Sequence, residues 1–331
     1  MENNQYFLNQ RRLRASSHIR ELAATVMLSH KQFIQPVFVE EALAVPRNIK
    51  GLPHIQVDTL NTIIATIQQD IDCGITKFLL FPIPSEKKIN DFNYDFASSV
   101  VNTIKNSFKE KIWLAVDICL CSYTTHGHCG ILNEAGTMVE NHQSVQELSK
   151  YAHTLAAAGA DCIAPSDMMD GRIAAIRTLL NKHHFEQVSI MSYSAKFSSQ
   201  FYGPFRDACN STPNNAALRD RKTYQISPFN QPDAIASALR DEAEGADIIM
   251  VKPAALYTAI ISAIKAKSNA VLAAYHVSGE YASIELMHEQ QLLERSSAHI
   301  EVWAALKRSG ADIIISYAAR NAKAWIENHL M

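Results

Sequence analysis

The sequence predicts a closed (β/α)8 barrel, the TIM-barrel form of the α/β class, preceded by an N-terminal extended arm. Three observations carry that reading. A phrase made of a helix end, Gly-Ala-Asp and a short apolar run recurs as AAGADCIAPSD (157–167), EGADIIMVKP (244–253) and SGADIIISYA (309–318), with a looser copy in CGITKFLLFP (73–82). Glycine suits the left-handed residue that ends a helix, and the runs have the length of strands buried on both faces. Four further runs of the same kind bring the strand count to eight, and the segments between them carry apolar residues at helical spacing.

In chain order, residues 1–30 precede the first strand and contain the basic stretch RRLRASSHIR (11–20), an N-terminal arm whose composition alone favours a solvated helix and whose functional reading is a clasp on a second subunit. Residues 31–331 form the catalytic barrel, whose strands are FIQPVFV (33–39), the apolar part of 73–82, IWLAVDI (112–118), the 157–167 junction, VSIMSYS (188–194), the 244–253 junction, VLAAYHV (271–277) and the 309–318 junction. VQELSKYAHTLAAAG (145–159) and PDAIASALRDEAEG (232–245) are two of the intervening helices. Eight such alternations in this length close into a barrel. An open doubly wound sheet is the competing arrangement, but no glycine-rich first turn marks a nucleotide crevice, and only 11 of 331 residues are glycine.

Composition narrows the partners. Apolar residues make up 47% and charged residues 19%, and 31 basic against 33 acidic side chains leave a net charge of −2. That balance fits neither a nucleic-acid nor a membrane-surface partner. Six cysteines in so long a chain are too sparse for a disulfide framework, and the amide-rich start has no apolar signal core, so a reducing cytoplasm is the expected location.

Chemistry in a barrel gathers where the strands end at their carboxyl side. Asp117 with Cys119, Ser166 with Asp167, Lys196, Lys252, Ser278, and Ser316 with Tyr317 occupy those places. Lys252 follows four apolar residues. Burial there would lower a lysine pKa from about 10.4 toward neutrality and free the amine to attack a ketone; a head group snorkelling to water is the alternative. Lys196 in MSYSAKF (191–197) repeats the pattern.

DICLCSYTTHGHCG (117–130) places Cys119, Cys121 and Cys129 just past a strand, a thiolate set suited to zinc. A fourth ligand from His126 or His128 would make the site structural, and an open position would make it catalytic. Downstream, FYGPFRDA (201–208) and RDRKTYQ (219–225) supply Arg206 and Arg221, whose guanidinium forks match a carboxylate, on a long loop that reads either as a charged surface segment or as a lid over the barrel mouth.

Taken together, RRLRASSHIR, the cysteine motif, PSDMMDGR (165–172), MSYSAKF, FYGPFRDA, MVKP, YHVSGEYA (275–282) and IIISY resemble the porphobilinogen synthase (5-aminolevulinate dehydratase) family in their residues and order. The resemblance implies condensation of two molecules of 5-aminolevulinate to porphobilinogen with loss of two waters, in tetrapyrrole (haem) biosynthesis. It implies a Schiff base on Lys252 for the first-bound substrate and on Lys196 for the second, with a catalytic Zn2+ on Cys119, Cys121 and Cys129. Arg206, Arg221 and Gln225 would hold the second substrate's carboxylate, and Ser278 with Tyr317 the first's; Asp117 and Ser166 would lie beside the reacting groups. A homo-octamer built from dimers is the assembly it implies. Ser237 stands where members with a regulatory Mg2+ carry glutamate, which argues against that metal here. A class I aldolase-like lyase with structural zinc and a non-catalytic zinc-binding paralogue are the competing functions.

Overall fold

The computed structural model describes residues 11–330. Ten strands run along the chain: β1 (Phe33–Glu40), β2 (Arg47–Asn48), β3 (Gln56–Asp58), β4 (Lys77–Ile83), β5 (Trp113–Ile118), β6 (Cys162–Pro165), β7 (Ser189–Lys196), β8 (Ile248–Lys252), β9 (Val271–His276) and β10 (Ile313–Ser316). Eight of them, β1 and β4 through β10, pair in parallel in sequence order, and β10 returns to β1 through Phe33–Ile314 and Ile34–Ile315, so the sheet closes as the sequence predicts. β2 and β3 are an excursion from β1. β3 pairs in parallel with the far end of β1 at Phe38 and Val39, on the edge whose near end meets β10.

Helices lie between the strands, among them Asn141–Ala157 and Gln231–Ala243 where apolar spacing places them. The barrel strands are buried on both faces apart from their first or last residues. This is why they read as continuous apolar runs and not as alternations. Arg11–Arg14 form one 3-10 turn and Ser17–Leu22 a short helix capped by the Ser16 side chain, all at the surface. Residues 1–10 of the expected arm lie outside the described residues. Among the described residues no helix is long and apolar enough to cross a membrane.

The recurring Gly-Ala-Asp phrase has a physical reason. Gly159, Gly245 and Gly310 take φ values of +99°, +106° and +111°, which end each helix and turn the chain into the next strand. The aspartate that follows reaches sideways to the strand before it. Asp161 accepts the Leu114 N–H at 2.8 Å, Asp247 the Ile190 N–H at 2.8 Å, and Asp312 the Leu272 N–H at 2.9 Å. Each aspartate's own N–H returns a bond to the carbonyl of the same residue, so the two strands are fastened at a fixed register. Lys105 and Lys265 neutralise two of the three carboxylates, at 2.8 and 2.7 Å.

An Asp161→Ala change strands the buried Leu114 N–H and frees Lys105, and is expected to lower stability by about 1–3 kcal/mol, with Asp161→Asn costing less because it keeps an acceptor. Urea unfolding midpoints of the two variants measure this. An unchanged midpoint for Asp161→Ala would show that the clasp does not hold the register.

Candidate active site

β7 and β8 end side by side, with Lys196 and Lys252 as register partners at their carboxyl ends. Both lysines are buried, at 5% and 3% exposure, so neither snorkels to water. The register between the two strands slips by one residue between Ser192 and Ala195. That bulge re-aims the strand, so that Tyr193 and Lys196, an odd number of residues apart, come together: Lys196 Nζ lies 5.5 Å from the Tyr193 ring centroid and Lys252 Nζ 4.8 Å from it.

Burial lowers the Lys252 pKa from its ordinary value to about 7, and the Lys196 charge pushes it the same way while Asp117 opposes. The amine is therefore neutral in a large fraction of molecules at neutral pH. Asp117, on β5, faces both lysines. Burial raises its carboxyl above the usual carboxylate range although both cations pull it down, and its Oδ1 has no hydrogen-bond partner. Lys196 Nζ donates to the Ser166 carbonyl, which fixes the amine beside the β6 end. The loop after β6 is in turn held by Arg172, fully buried, which bonds the Met169 carbonyl at 3.1 Å and Asp241 at 2.9 Å and lies 3.5 Å from Asp167.

Cys119, Cys121 and Cys129 are buried with their sulfurs within 4.8 Å of one another. The hydrogen bonds of Cys119 and Cys121 hold the Cys129 thiol well below the ordinary range, whereas burial drives Cys119 well above it. Neither histidine gathers with the three sulfurs, although His126 Nε2 is buried without a partner. His128 spends its ring nitrogens on the Tyr224 hydroxyl at 3.0 Å and the Leu218 carbonyl at 2.9 Å, and His126 Nδ1 accepts the His128 N–H. Three soft donors, no disulfide and, among the described residues, no histidine, aspartate or glutamate gathered with them fit zinc at a site with an open position.

The segment after Lys196 lies over the barrel mouth, through a turn at Gln200–Tyr202 and a helix at Gly203–Ala208. It is seated on aromatic rings: Phe205 packs against Phe81 at 5.0 Å and Phe38 at 6.0 Å, and Phe38 stacks on Tyr317 at 6.2 Å. Arg47, paired with Glu40, reaches the Ala208 carbonyl at 2.8 Å, and Lys87 bonds the Asn210 carbonyl, so two cations close the helix's carboxyl end.

The predicted anion-binding residues divide in two. Arg221 is buried and anchored to the Gly127 and Ser211 carbonyls. Burial works against its charge, but the neighbouring Cys129 and Cys121 hold that charge more firmly still. Arg206, half-buried, has its pKa lowered by burial and by Arg221. The Nε atoms of Arg206 and Arg221 and both amide atoms of Gln225 are shielded from solvent without a partner, which leaves three donors awaiting an acceptor and, in Gln225 Oε1, one acceptor awaiting a donor. Ser278 is already engaged, donating to the Phe201 carbonyl and accepting the Phe205 N–H, each at 3.2 Å. The Tyr317 hydroxyl meets that of Tyr275 at 3.1 Å.

Several residues lie in the site without having been singled out in the sequence. Tyr193, Tyr202, Phe205 and Tyr275 surround Lys252, and Cys209, at the carboxyl end of the covering helix, is buried. Glu280 accepts the Ala255 and Val277 N–H groups, both at 2.9 Å, and so ties the turn after Lys252 to the end of β9. All but Cys209 fall inside motifs quoted above. Their facing depends on the bulge and on the covering segment, and spacing does not report either.

The sequence profile of the family described as delta-aminolevulinic acid dehydratase matches residues 8–325. The delta-aminolevulinic acid dehydratase of Bacillus subtilis is 38% identical over 98% of this chain and 99% of its own, and that of Methanothermus sociabilis 42% identical over 95% and 97%. A crystal structure of the dehydratase (porphobilinogen synthase) from Toxoplasma gondii, in complex with the reaction product porphobilinogen, superposes with a TM-score of 0.92 at 34% identity, covering 96% of this chain and 91% of that one. With agreement running from the arm through the last helix, this chain belongs to the delta-aminolevulinic acid dehydratase family.

Proposed function

We propose that the protein is a porphobilinogen synthase, a lyase that joins two 5-aminolevulinate molecules and releases two waters on the route to tetrapyrroles such as haem. The observation that carries this reading is the pair of buried lysines in register at the ends of β7 and β8, since two amines in one mouth suit two keto substrates held at once. A single-lysine aldolase needs no such pair.

In this reading Lys252 Nζ, neutral near pH 7, attacks the ketone of the first substrate, and Lys196 Nζ that of the second. Asp117, which faces both amines and whose carboxyl burial raises above the usual carboxylate range, is placed to give a proton to each departing hydroxyl and to take one as an iminium becomes an enamine. The enamine carbon of one substrate forms the C–C bond to the iminium carbon of the other, and a substrate amino group forms the C–N bond to the remaining iminium carbon. Each lysine leaves as a free amine as its own C–N bond breaks, the two waters having departed when the Schiff bases formed. Ser166 lies beside the reacting groups, its carbonyl orienting Lys196. The unpartnered donors of Arg206, Arg221 and Gln225 receive the second substrate's carboxylate. Ser278 and Tyr317 receive the first's, with Ser278 exchanging its bonds to the covering segment. That segment excludes water from both iminium groups. Cys119, Cys121 and Cys129 would hold the zinc ion, which when bound supplies Lewis acidity beside the second substrate.

No regulatory Mg2+ enters the proposal. Arg240 bonds Asp170 at 2.6 Å and Asp241 at 3.1 Å, and Ser237 contributes only a hydroxyl to Arg240, so a guanidinium already neutralises these carboxylates. A cytoplasmic homo-octamer of arm-clasped dimers is the assembly we infer, supported by the exposed Leu13, Leu22 and Met27 on residues 11–30. Free thiols at all six cysteines suit a reducing compartment.

The deciding experiment measures porphobilinogen formed from 5-aminolevulinate by the wild type, Lys196→Ala and Lys252→Ala. Turnover is expected in the first and loss of at least about a thousandfold in each variant, as for removal of a covalent catalyst. Near-normal turnover in Lys196→Ala would favour the aldolase-like reading, and no product from the wild type with zinc supplied would favour a non-catalytic paralogue.

The pH dependence has a definite sign. Protonation silences Lys252, so borohydride trapping at this residue should rise with pH through about 7 and then level off. The Lys196 charge depresses this pKa, so Lys196→Met should move the rise to higher pH. An unmoved profile would mean the two amines do not sense each other.

Chelation should abolish turnover while leaving far-UV circular dichroism and thermal unfolding largely unchanged, because a three-ligand site serves catalysis more than folding. Loss of helical signal in step with activity would instead assign the thiols a structural role.

A further inference from the structure

We infer that four aromatic rings around Lys252 form a cation-stabilising box that favours the iminium of a bound keto acid over the lysine's own ammonium, making Tyr275, Tyr193, Phe205 and Tyr202 participants in the covalent step. The inference rests on the proposed function and names what sets the position of its first equilibrium.

The geometry is that of a cage. Lys252 Nζ lies over the rings of Tyr275 at 4.2 Å, Tyr193 at 4.8 Å, Phe205 at 4.9 Å and Tyr202 at 5.4 Å from their centroids, all within the range in which a ring quadrupole attracts a cation. The rings come from β7, β9 and the covering segment, so the box is complete only with that segment in place. Two of the three hydroxyls are committed elsewhere. Tyr202 donates to the Phe197 and Lys252 carbonyls at 2.8 and 3.0 Å, and Tyr275 pairs with Tyr317. The amine therefore meets mainly π faces, with Asp117 as the carboxylate that acts on it.

Such a box treats two cations differently. An ammonium is compact and strongly hydrated, and the rings return only part of what it loses on leaving water. An iminium spreads its charge over nitrogen and carbon, loses less hydration on burial, and meets the same ring faces. In the step itself the amine lone pair forms a C–N bond to the keto carbon and the C–O bond breaks. One amine hydrogen and one proton taken up from solvent leave with that oxygen as water, and the other amine hydrogen stays on nitrogen, so that one positive charge remains on the C=N group. The cation is thus made inside the box and need never be carried into it.

The test uses 4-oxopentanoate, a keto acid without the amino group, which stops at the Schiff base. Full-length protein carrying phenylalanine, or phenylalanine with one, two or three ring fluorines, at position 205 is equilibrated with this acid and reduced with borohydride. Adduct at Lys252 is quantified by peptide mass spectrometry against acid concentration. Fluorines drain the ring face while nearly keeping its shape, so half-saturation should rise with each fluorine, by about tenfold across the series. Phe205→Leu, which removes the ring, should weaken trapping at least as much. A flat fluorine series with normal wild-type trapping overturns the box, and harm from Phe205→Leu alone would then report packing. Absence of any Lys252 adduct in the wild type overturns the proposed function itself.

Discussion

Mutual repulsion between Lys196 and Lys252 is the constraint around which the barrel mouth is built. Two ammonium groups out of water at the ends of adjacent strands cannot both be retained without heavy cost, so one amine is pushed toward neutrality. The surroundings answer that constraint from several sides. Asp117 supplies partial countercharge, the Ser166 carbonyl accepts from Lys196, and aromatic faces fill the space where water would otherwise solvate the charge. An arrangement that would be a liability in an inert core suits the pair of nucleophiles that the proposed function requires.

Support for this arrangement is layered outward. Arg172, buried between Asp167 and Asp241, braces the loop after β6, and its carboxylate partners come from two different elements. Glu280 joins the turn after β8 to the end of β9. Arg47, Glu40 and Lys87 seat the covering helix from the β1 and β4 sides. Each brace is an ionic or charge-assisted contact at the edge of the apolar interior, where such bonds gain strength from the low dielectric. The groups proposed to meet substrate are left short of partners, as the orphaned atoms of Asp117, Arg206, Arg221 and Gln225 show.

The barrel was legible in the sequence because the Gly-Ala-Asp phrase repeats at helix-to-strand junctions and because both faces of each strand are buried, so local pattern and global fold agree. The two lysines and three cysteines were legible for a related reason: a charge or a thiol cluster next to an apolar run stands out. Other features were not. His126 and His128 were each eligible for a fourth zinc position beside the three cysteines, and the grouping of the sulfurs alone, with the Tyr224 and Leu218 contacts of His128, is visible only in the folded chain. The aromatic surround of Lys252 depends on the β7 bulge, a single-residue slip that leaves the pattern of MSYSAKF unchanged. Cys209 carried no signal, since burial of a lone thiol under a loop is a tertiary fact.

The aspartate clasps also bear on how such a barrel comes into being. Asp161, Asp247 and Asp312 each belong to the unit that follows the strand they fasten, so β5 with β6, β7 with β8 and β9 with β10 are riveted as couples. During synthesis from the amino end, the first member of each couple stays loose until the second has left the ribosome. The natural module of this architecture is thus a double repeat, and a fragment or permutant cut within a couple would part a rivet from its plate.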